Sequence, residues 1–177
     1  MKKNMQKKST TTLHPRPQLR RDRWIDLNGT WGFAYDDDAR GVDERWQEKE
    51  EIFSRTIQVP YPPESSASGI GDTGFHAIVW YRRTFEVAAE DIEKRLILHC
   101  GAIDYYAQIW VNGSLVAWHE GGQTPISVDI TSTLRPSGKQ VVVICAEDAP
   151  RDLTQPRGKQ DWQENPHEIW YHRTTGI

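Results

Sequence analysis

The sequence predicts an all-β sandwich, and three observations support that fold class. Short apolar runs, some of them alternating with polar residues, recur at intervals of about ten to fifteen residues. Gly, Pro, Asn and Asp occupy the breaks between these runs, and no long window shows the period of an amphipathic helix. Regularly spaced strands separated by turn residues are typical of sandwiches, whereas a parallel sheet would require strands that alternate with helices.

The first half of the chain contains a leader, a charged insertion and four predicted strands. Residues 1–19 are predicted to form a flexible basic leader, and residues 20–177 a single domain. The charged residues 36–51 interrupt the strand pattern and are predicted to contain one helical turn. The predicted strands are residues 30–35, 57–59, 78–87 and 95–100, of which the last is a continuous apolar run that favours burial on both faces.

The second half is organised around a hairpin signal at Asn112-Gly113. Apolar runs flank this pair on both sides, and Asn-Gly favours a type I′ turn because both turn residues need positive φ. The run at residues 140–146 predicts another strand that is buried on both faces. The remaining predicted strands are residues 106–111, 114–119, 126–130 and 168–173.

Length and charge exclude several classes of function. A chain of 177 residues is too short for a (β/α)8 barrel, which needs about 250 residues. Residues 1–23 carry eight Lys/Arg and one Asp, whereas the rest of the chain carries 14 Lys/Arg and 24 Asp/Glu. The basic leader lacks aromatic residues and the acidic domain would repel phosphate, so we expect no nucleic-acid partner.

The lack of a secretory signal in the sequence and the positions of the cysteines indicate the cellular compartment. The basic residues 1–9 are not followed by the apolar region of a secretory signal. No run approaches the roughly 18 apolar residues of a membrane-spanning helix, so no membrane partner is expected. Cys100 and Cys145 lie in apolar runs and predict two buried, reduced thiols instead of a disulfide framework. These features predict a cytoplasmic protein.

The sequence contains no motif that supports catalysis by this chain alone. Its six His residues lack the spacing of a zinc site, and no Cys-x2-Cys pair is present. A Gly-x-Ser-x-Gly nucleophile elbow and a glycine-rich phosphate loop are also absent from the sequence. We therefore predict no catalytic residue, no metal site and no cofactor.

Polar and aromatic side chains concentrate in two regions, residues 112–124 and 156–173. The chain has eight Trp but only four Phe, and rings with a polar atom suit surfaces that are partly wet. Trp beside Asp, Asn, His and Arg is typical of a sugar-contacting surface, where rings cover C–H faces and polar groups bind hydroxyls. The same composition also fits a polar interface between domains, and the residues alone favour neither interpretation.

Five motifs in order resemble the start of glycoside hydrolase family 2, which contains β-galactosidases, β-glucuronidases and β-mannosidases. They are residues 60–70, 79–85, 111–116, 119–122 with Pro125, and 169–177. The resemblance implies a jelly-roll β-sandwich of the galactose-binding-domain-like type, namely the N-terminal sugar-binding domain of the family. It also implies retaining hydrolysis by two Glu on a following barrel. This chain lacks that barrel, so we expect it to be inactive alone.

The resemblance also implies which residues line a substrate pocket. Asn112 matches a hairpin Asn that reaches the sugar in β-galactosidases, and the pocket carboxylate corresponds to either Asp161 or Glu168. Trp162 is expected to stack either on the barrel or on the sugar. The other candidate substrate-binding residues are His119, Glu120 and Trp170.

Other residues are expected to have structural roles. Trp80, Trp110 and Trp118 are predicted to pack in the core or on a sheet face, and Arg173 to form an ion pair or hold the backbone. The implied partners are a β-galactoside or β-glucuronide and the barrel domain. The chain stops at Ile177 inside a predicted strand, which we interpret as truncation of a longer enzyme. Two alternatives remain open: a free-standing carbohydrate-binding module, and a structural sandwich that forms homo-oligomers.

Overall fold

The computed structural model describes residues 23–177, so the leader predicted at residues 1–19 lies outside the described residues. Within this range the eight strands are β1 (Gly29–Tyr35), β2 (Arg55–Val59), β3 (Ile78–Glu86), β4 (Ile97–Cys100), β5 (Tyr106–Val111), β6 (Ser114–Glu120), β7 (Ile126–Asp129) and β8 (Lys139–Glu147). The helices are single 3-10 turns at Trp46–Glu48, Glu50–Ile52, Ser66–Ser68 and Thr131–Thr133. Among residues 23–177, no helix has the length and apolar character needed to cross a bilayer.

The strands form two antiparallel sheets, which confirms the predicted all-β sandwich. The larger sheet has the order β2-β1-β3-β8-β5-β6, and β4 pairs with β7 in the smaller one. The hairpin between β5 and β6 turns at Asn112 and Gly113, whose φ angles of 52° and 86° confirm the predicted turn chemistry. Strand β8 lies between β3 and β5 and is buried over nearly its whole length, as its apolar run predicts.

The main core lies between the two sheets. Tyr81, Ile109 and Ile144 point from the larger sheet toward Leu98 and Ile126 of the smaller one, and all five are buried. Neighbouring residues along each strand point to the opposite face of the larger sheet. That outer face therefore needs its own cover wherever its side chains are apolar.

The insertion segment, residues 36–54, covers part of this outer face. Trp80 and Trp110 stack there with ring centroids 5.3 Å apart, and the Trp46 ring lies 5.8 Å from Trp80. Ile52 and Phe53 pack against the same cluster. Although the segment is mostly charged, its three apolar side chains Trp46, Ile52 and Phe53 complete a second, smaller core on Trp80 and Trp110.

Asp36 attaches the insertion segment to the sheet. Its buried carboxylate accepts the backbone N–H groups of Arg40 and Gly41 at 2.8 Å and the indole N–H of Trp80 at 3.1 Å. A Cβ at Gly41 would lie 2.6 Å from both the Asp36 carboxylate and the Trp80 indole. Glycine is therefore needed at position 41 for the segment to approach the sheet this closely.

Two sequence predictions differ from the structure, and a third holds in one of its two forms. Trp118 lies on a sheet face and not in the core, and it is 62% exposed on a part of the outer face that the insertion segment does not reach. The strand predicted at residues 168–173 does not form, since Glu168 has φ 53° within a turn closed by a hydrogen bond from Trp170 N–H to His167 O. Strand β4 is buried on one face only, with His99 exposed.

Candidate functional site

The C-terminal segment, residues 148–177, contains four of the predicted site residues and no regular strand. Its end is attached to the sandwich by two backbone hydrogen bonds between Asp104 and Gly176, both at 2.9 Å. Gly176 has φ 117°, and a Cβ there would lie 2.0 Å from the Tyr81 hydroxyl. Because a side chain would not fit there, glycine at position 176 allows the backbone to pack directly against the core.

Arg173 is the buried cation of this attachment. Its guanidinium pairs with the Asp148 carboxylate and donates to Ala149 O at 3.1 Å. Both partners of the ion pair are about 95% buried. This arrangement confirms the predicted structural role of Arg173, and it leaves the side chain no exposed face for a sugar.

A small polar cavity adjoins the ion pair. Its lining includes Glu64, His76, Asp148, Arg173 and Thr175. Burial raises the pKa of Glu64 to about 7, although backbone N–H groups of Glu64 and Thr175 act in the opposite direction. Burial also raises the pKa of Asp148 to about 6, and the Arg173 charge opposes this shift. Sequence reasoning missed Glu64, whose only signal was its place in the family-like Pro-rich motif at residues 60–70.

Asp161 holds a turn of the C-terminal segment together. One oxygen accepts the Gln163 N–H at 3.1 Å, and the other accepts the His167 N–H at 2.9 Å and contacts His167 Nδ1 at 2.6 Å. Burial acts to raise the pKa of this carboxyl, but these hydrogen bonds outweigh it and lower the pKa to about 2. The ionised carboxylate is thus directed into its own turn.

The C-terminal segment, including the turn held by Asp161, carries five exposed apolar side chains. The Arg157 guanidinium covers one face of the Trp162 ring at 3.6 Å, and 47% of Trp162 remains exposed. Glu168 is exposed as well, in the left-handed turn conformation. The exposed apolar row consists of Leu153, Trp162, Ile169, Trp170 and Tyr171.

Asn112 lies far from the C-terminal segment. It is at the end of β5 opposite Tyr106, about 17–20 Å away along a strand of this length. Its amide donates to Thr133 O at 2.8 Å and to Gln140 Oε1 at 2.7 Å. Both amide hydrogens are therefore used within the chain, and the structure does not bring Asn112 together with Asp161 or Glu168.

His119 and Glu120 end β6 on the same side of the sandwich as the C-terminal segment. His119 Nε2 lies 2.8 Å from the Thr124 hydroxyl, and the Tyr105 hydroxyl donates to Glu120 at 3.4 Å. The loop that follows is tied to the sheet by the Gly121 N–H, which donates to Tyr105 O. His119 therefore holds the turn that follows β6 in place. Glu120 faces solvent beside the rings of Tyr105 and Tyr106.

In the part of the chain that the structure describes, no group of three or more His, Cys, Asp or Glu side chains is arranged to hold a metal ion. Both cysteines, Cys100 and Cys145, are buried and free. The grouping that emerges combines the buried Asp161 with the exposed Trp162, Glu168 and Trp170 on one segment. A grouping of this kind can contact a partner surface, but it contains no nucleophile–base pair.

Known proteins resemble both the sequence and the fold. The profile described as "Glycosyl hydrolases family 2, sugar binding domain" matches residues 25–151. The β-glucuronidase of Paenibacillus borealis is 33% identical over 155 residues, which cover 83% of this chain and 24% of that protein. The Felis catus β-glucuronidase is 34% identical over 134 residues, which cover 70% of this chain and 20% of that protein. The chain therefore spans about a fifth to a quarter of the length of these relatives.

Solved structures agree with the sequence relatives. The β-glucuronidase from Ruminococcus gnavus in complex with D-glucaro 1,5-lactone matches 69% of this chain and 21% of its own, with a TM-score of 0.61 and 25% identity. An uncultured Clostridium β-glucuronidase matches 68% of this chain and 21% of its own, with a TM-score of 0.57 and 29% identity. Together with the profile match, these likenesses show that the chain belongs to glycoside hydrolase family 2 and contains its sugar-binding domain.

Proposed function

We propose that this domain is the non-catalytic N-terminal module of a β-glucuronidase-type enzyme and that it docks on the catalytic barrel through its C-terminal segment. The relatives reported above are β-glucuronidases, which favours that activity over the β-galactosidase that the motifs alone left open. In this function the module binds no substrate alone. It supports one wall of a pocket whose reacting groups belong to the barrel.

The exposed apolar row is the observation that carries the proposal. Ile169 is 70% exposed and Tyr171 63% exposed, although both lie on a backbone held in place by hydrogen bonds. Several large exposed apolar side chains on one ordered segment favour an interaction surface, because soluble proteins rarely expose many of them together. Backbone hydrogen bonds order the part of the segment from Asp161 to Tyr171, so docking would require little loss of conformational entropy.

A chimeric enzyme tests the docking function. Residues 23–177 would replace the matching N-terminal portion of the Paenibacillus borealis β-glucuronidase, and hydrolysis of 4-nitrophenyl β-D-glucuronide would be measured. We expect an active chimera in which Ile169→Asp lowers activity by about tenfold or more, because a desolvated charge would enter the interface. The matched control is Leu115→Asp, since Leu115 is exposed on β6 away from the segment.

Three outcomes would contradict the proposal. A soluble but inactive chimera, or equal losses from Ile169→Asp and Leu115→Asp, would show that the segment does not dock on the barrel. Hydrolysis of the glucuronide by the 177-residue chain alone would disprove the non-catalytic role.

A further inference from the structure

The insertion segment leaves one part of the outer face of the larger sheet uncovered. We name this part the open sheet face and define it by Tyr106, Gln108, Trp118, Glu120 and Glu147. The strand register places Gln108 opposite Trp118 and Tyr106 opposite both Glu120 and Glu147. Directly paired residues of adjacent strands point to the same side of a sheet, so these five side chains share one surface.

The open sheet face has the shape of a shallow binding site. A depression of about 290 Å³ is lined by Tyr106, Gln108, Trp118, Glu147 and the edge of Cys145. This volume is near the lower end of the range of small-molecule sites, about 300–1,000 Å³. The Trp118 ring forms one side, with its centroid 6.4 Å from the Tyr106 ring and the two planes tilted by 33°.

The side chains of this depression are suited to a ring with many hydroxyl groups. An exposed indole offers a flat apolar surface for the C–H face of a pyranose. Beside it, Gln108 provides an amide that donates and accepts, and Glu147 provides a carboxylate that accepts. Glu120 is already oriented by the Tyr105 hydroxyl at 3.4 Å, so a further acceptor is held at the rim.

The negative charge of the open sheet face favours neutral sugars over anionic ones. Glu120 and Glu147 are acidic, and Asp152 is close enough for its charge to raise the pKa of Tyr106, after the larger effects of burial and of Glu120. Among the described residues, those that line the depression include no Lys or Arg. A uronate would be repelled by these carboxylates, whereas a neutral sugar would use them as hydrogen-bond acceptors.

We propose that the open sheet face binds a neutral pyranose unit, stacked on Trp118 and hydrogen-bonded through its hydroxyls to Gln108 and Glu147. This site uses none of the residues of the C-terminal segment and does not depend on docking to a barrel. It gives the domain a carbohydrate contact of its own, for a neutral sugar unit and not for a glucuronate.

Titration of the 177-residue chain tests the site. Uniformly ¹⁵N-labelled protein would be titrated with neutral gluco-, galacto- and xylo-oligosaccharides, with glucuronate, and with choline chloride as a cationic probe. We expect saturable shifts of the Trp118 indole signal with at least one neutral oligosaccharide, with a Kd of about 1 mM, as suits a shallow and solvated site. Weaker shifts, or none, are expected with glucuronate.

Substitutions on the open sheet face test whether its side chains bind the sugar. Trp118→Ala should weaken binding by at least about tenfold and Gln108→Ala by a smaller factor, since the ring supplies most of the contact area. The matched control is Tyr61→Ala, which removes an exposed aromatic ring outside both the open sheet face and the C-terminal segment and should leave the affinity unchanged. Trp118 has no role in the core, and a far-UV spectrum would confirm that its variant remains folded.

Several results would overturn the proposal. No shift with any neutral sugar at about 20 mM, which is well above the expected Kd, would do so, as would a preference for glucuronate. Tighter binding of choline would assign the aromatic and acidic groups to a cationic ligand instead. A dimer in sedimentation that Trp118→Ala dissociates would show that a second copy of the chain covers this face.

Discussion

The insertion segment and the C-terminal segment are both irregular stretches laid against the same sandwich, yet they place their apolar side chains oppositely. Residues 36–54 direct Trp46, Ile52 and Phe53 onto the sheet. Residues 148–177 leave Ile169 and Trp170 in solvent. The first segment completes a surface of the domain itself, whereas the second has the character of one side of an interface.

A buried aspartate in each segment explains the difference. Asp36 and Asp161 both accept two backbone N–H groups of their own turn. The third partner of Asp36 is the Trp80 indole on the sheet, whereas the third partner of Asp161 is His167 of the same turn. The same capping chemistry therefore anchors one segment to the core, whereas in the other it closes a turn that contacts the loop before β3 through Glu164, which accepts the Phe75 N–H at 3.0 Å.

Of the substitutions that test the two segments, Trp80→Ala should cause the largest loss of unfolding free energy. Trp80 is fully buried between Trp46, Trp110 and the Asp36 carboxylate. Removing a buried ring of this size costs about 3–5 kcal/mol of unfolding free energy, because the cavity closes only in part. Urea unfolding followed by far-UV circular dichroism would measure the loss. The control Trp118→Ala should change stability by no more than about 0.5 kcal/mol, and similar losses in both variants would refute the distinction between covered and open faces.

The two aspartates should respond differently to the same substitution. Asp36→Asn places an amide N–H opposite donors in a buried site and should lower the unfolding free energy by about 1–3 kcal/mol. Asp161→Asn should leave global unfolding nearly unchanged, but it should speed amide hydrogen exchange at Gln163 and His167. Hydrogen exchange read by NMR together with urea unfolding separates the two effects. A global loss in Asp161→Asn as large as that in Asp36→Asn would contradict this difference between the two carboxylates.

The attachment of the C-terminal segment should depend on pH through Glu64. Its pKa of about 7 lies above the ordinary value of 4.5, so the folded state holds a proton that the unfolded state has released between these two values. The unfolding free energy should therefore fall as pH rises from about 4.5 to 7 and then level off.

Glu64→Gln tests this pH dependence because it mimics the protonated group. The variant should lack that part of the decline and exceed the natural chain at pH 8 by on the order of 1 kcal/mol. Asp148, with a pKa of about 6, contributes a slope of the same sign in both proteins, so the difference between the two slopes measures Glu64 together with its repulsion by Asp148. Identical pH slopes for the two proteins in urea unfolding would exclude Glu64 as the source.

The sequence was informative where local chemistry determines the outcome. Asn112-Gly113 predicted the hairpin because positive φ is a local requirement, and the apolar run of β8 predicted its burial between two strands. The last predicted strand was wrong because a turn at Glu168 interrupts a run that contains suitable strand residues. Periodicity assigned Trp118 to a sheet face, but whether that face is covered depends on how far residues 36–54 extend over it.

The candidate site was predictable only in part. Asp161, Trp162, Glu168 and Trp170 do lie on one segment, as their positions along the chain suggest. The open sheet face combines residues from three strands, so it required the register of β5 against both β6 and β8. Glu64 acquires its buried position through contact with Thr175, which is 111 residues away and gives no local signal.

The stacked Trp80–Trp110 pair also gives this protein an optical signature. Two indoles whose planes differ by only 16° couple their electronic transitions, while Trp118, Trp162 and Trp170 absorb as separate, hydrated rings. A hydrated indole emits at a longer wavelength than an enclosed one, so the red side of the fluorescence emission reports on the exposed rings and the blue side on the stacked pair. A single sample can therefore report separately on the enclosed side of the sheet and on ligands that reach its exposed rings.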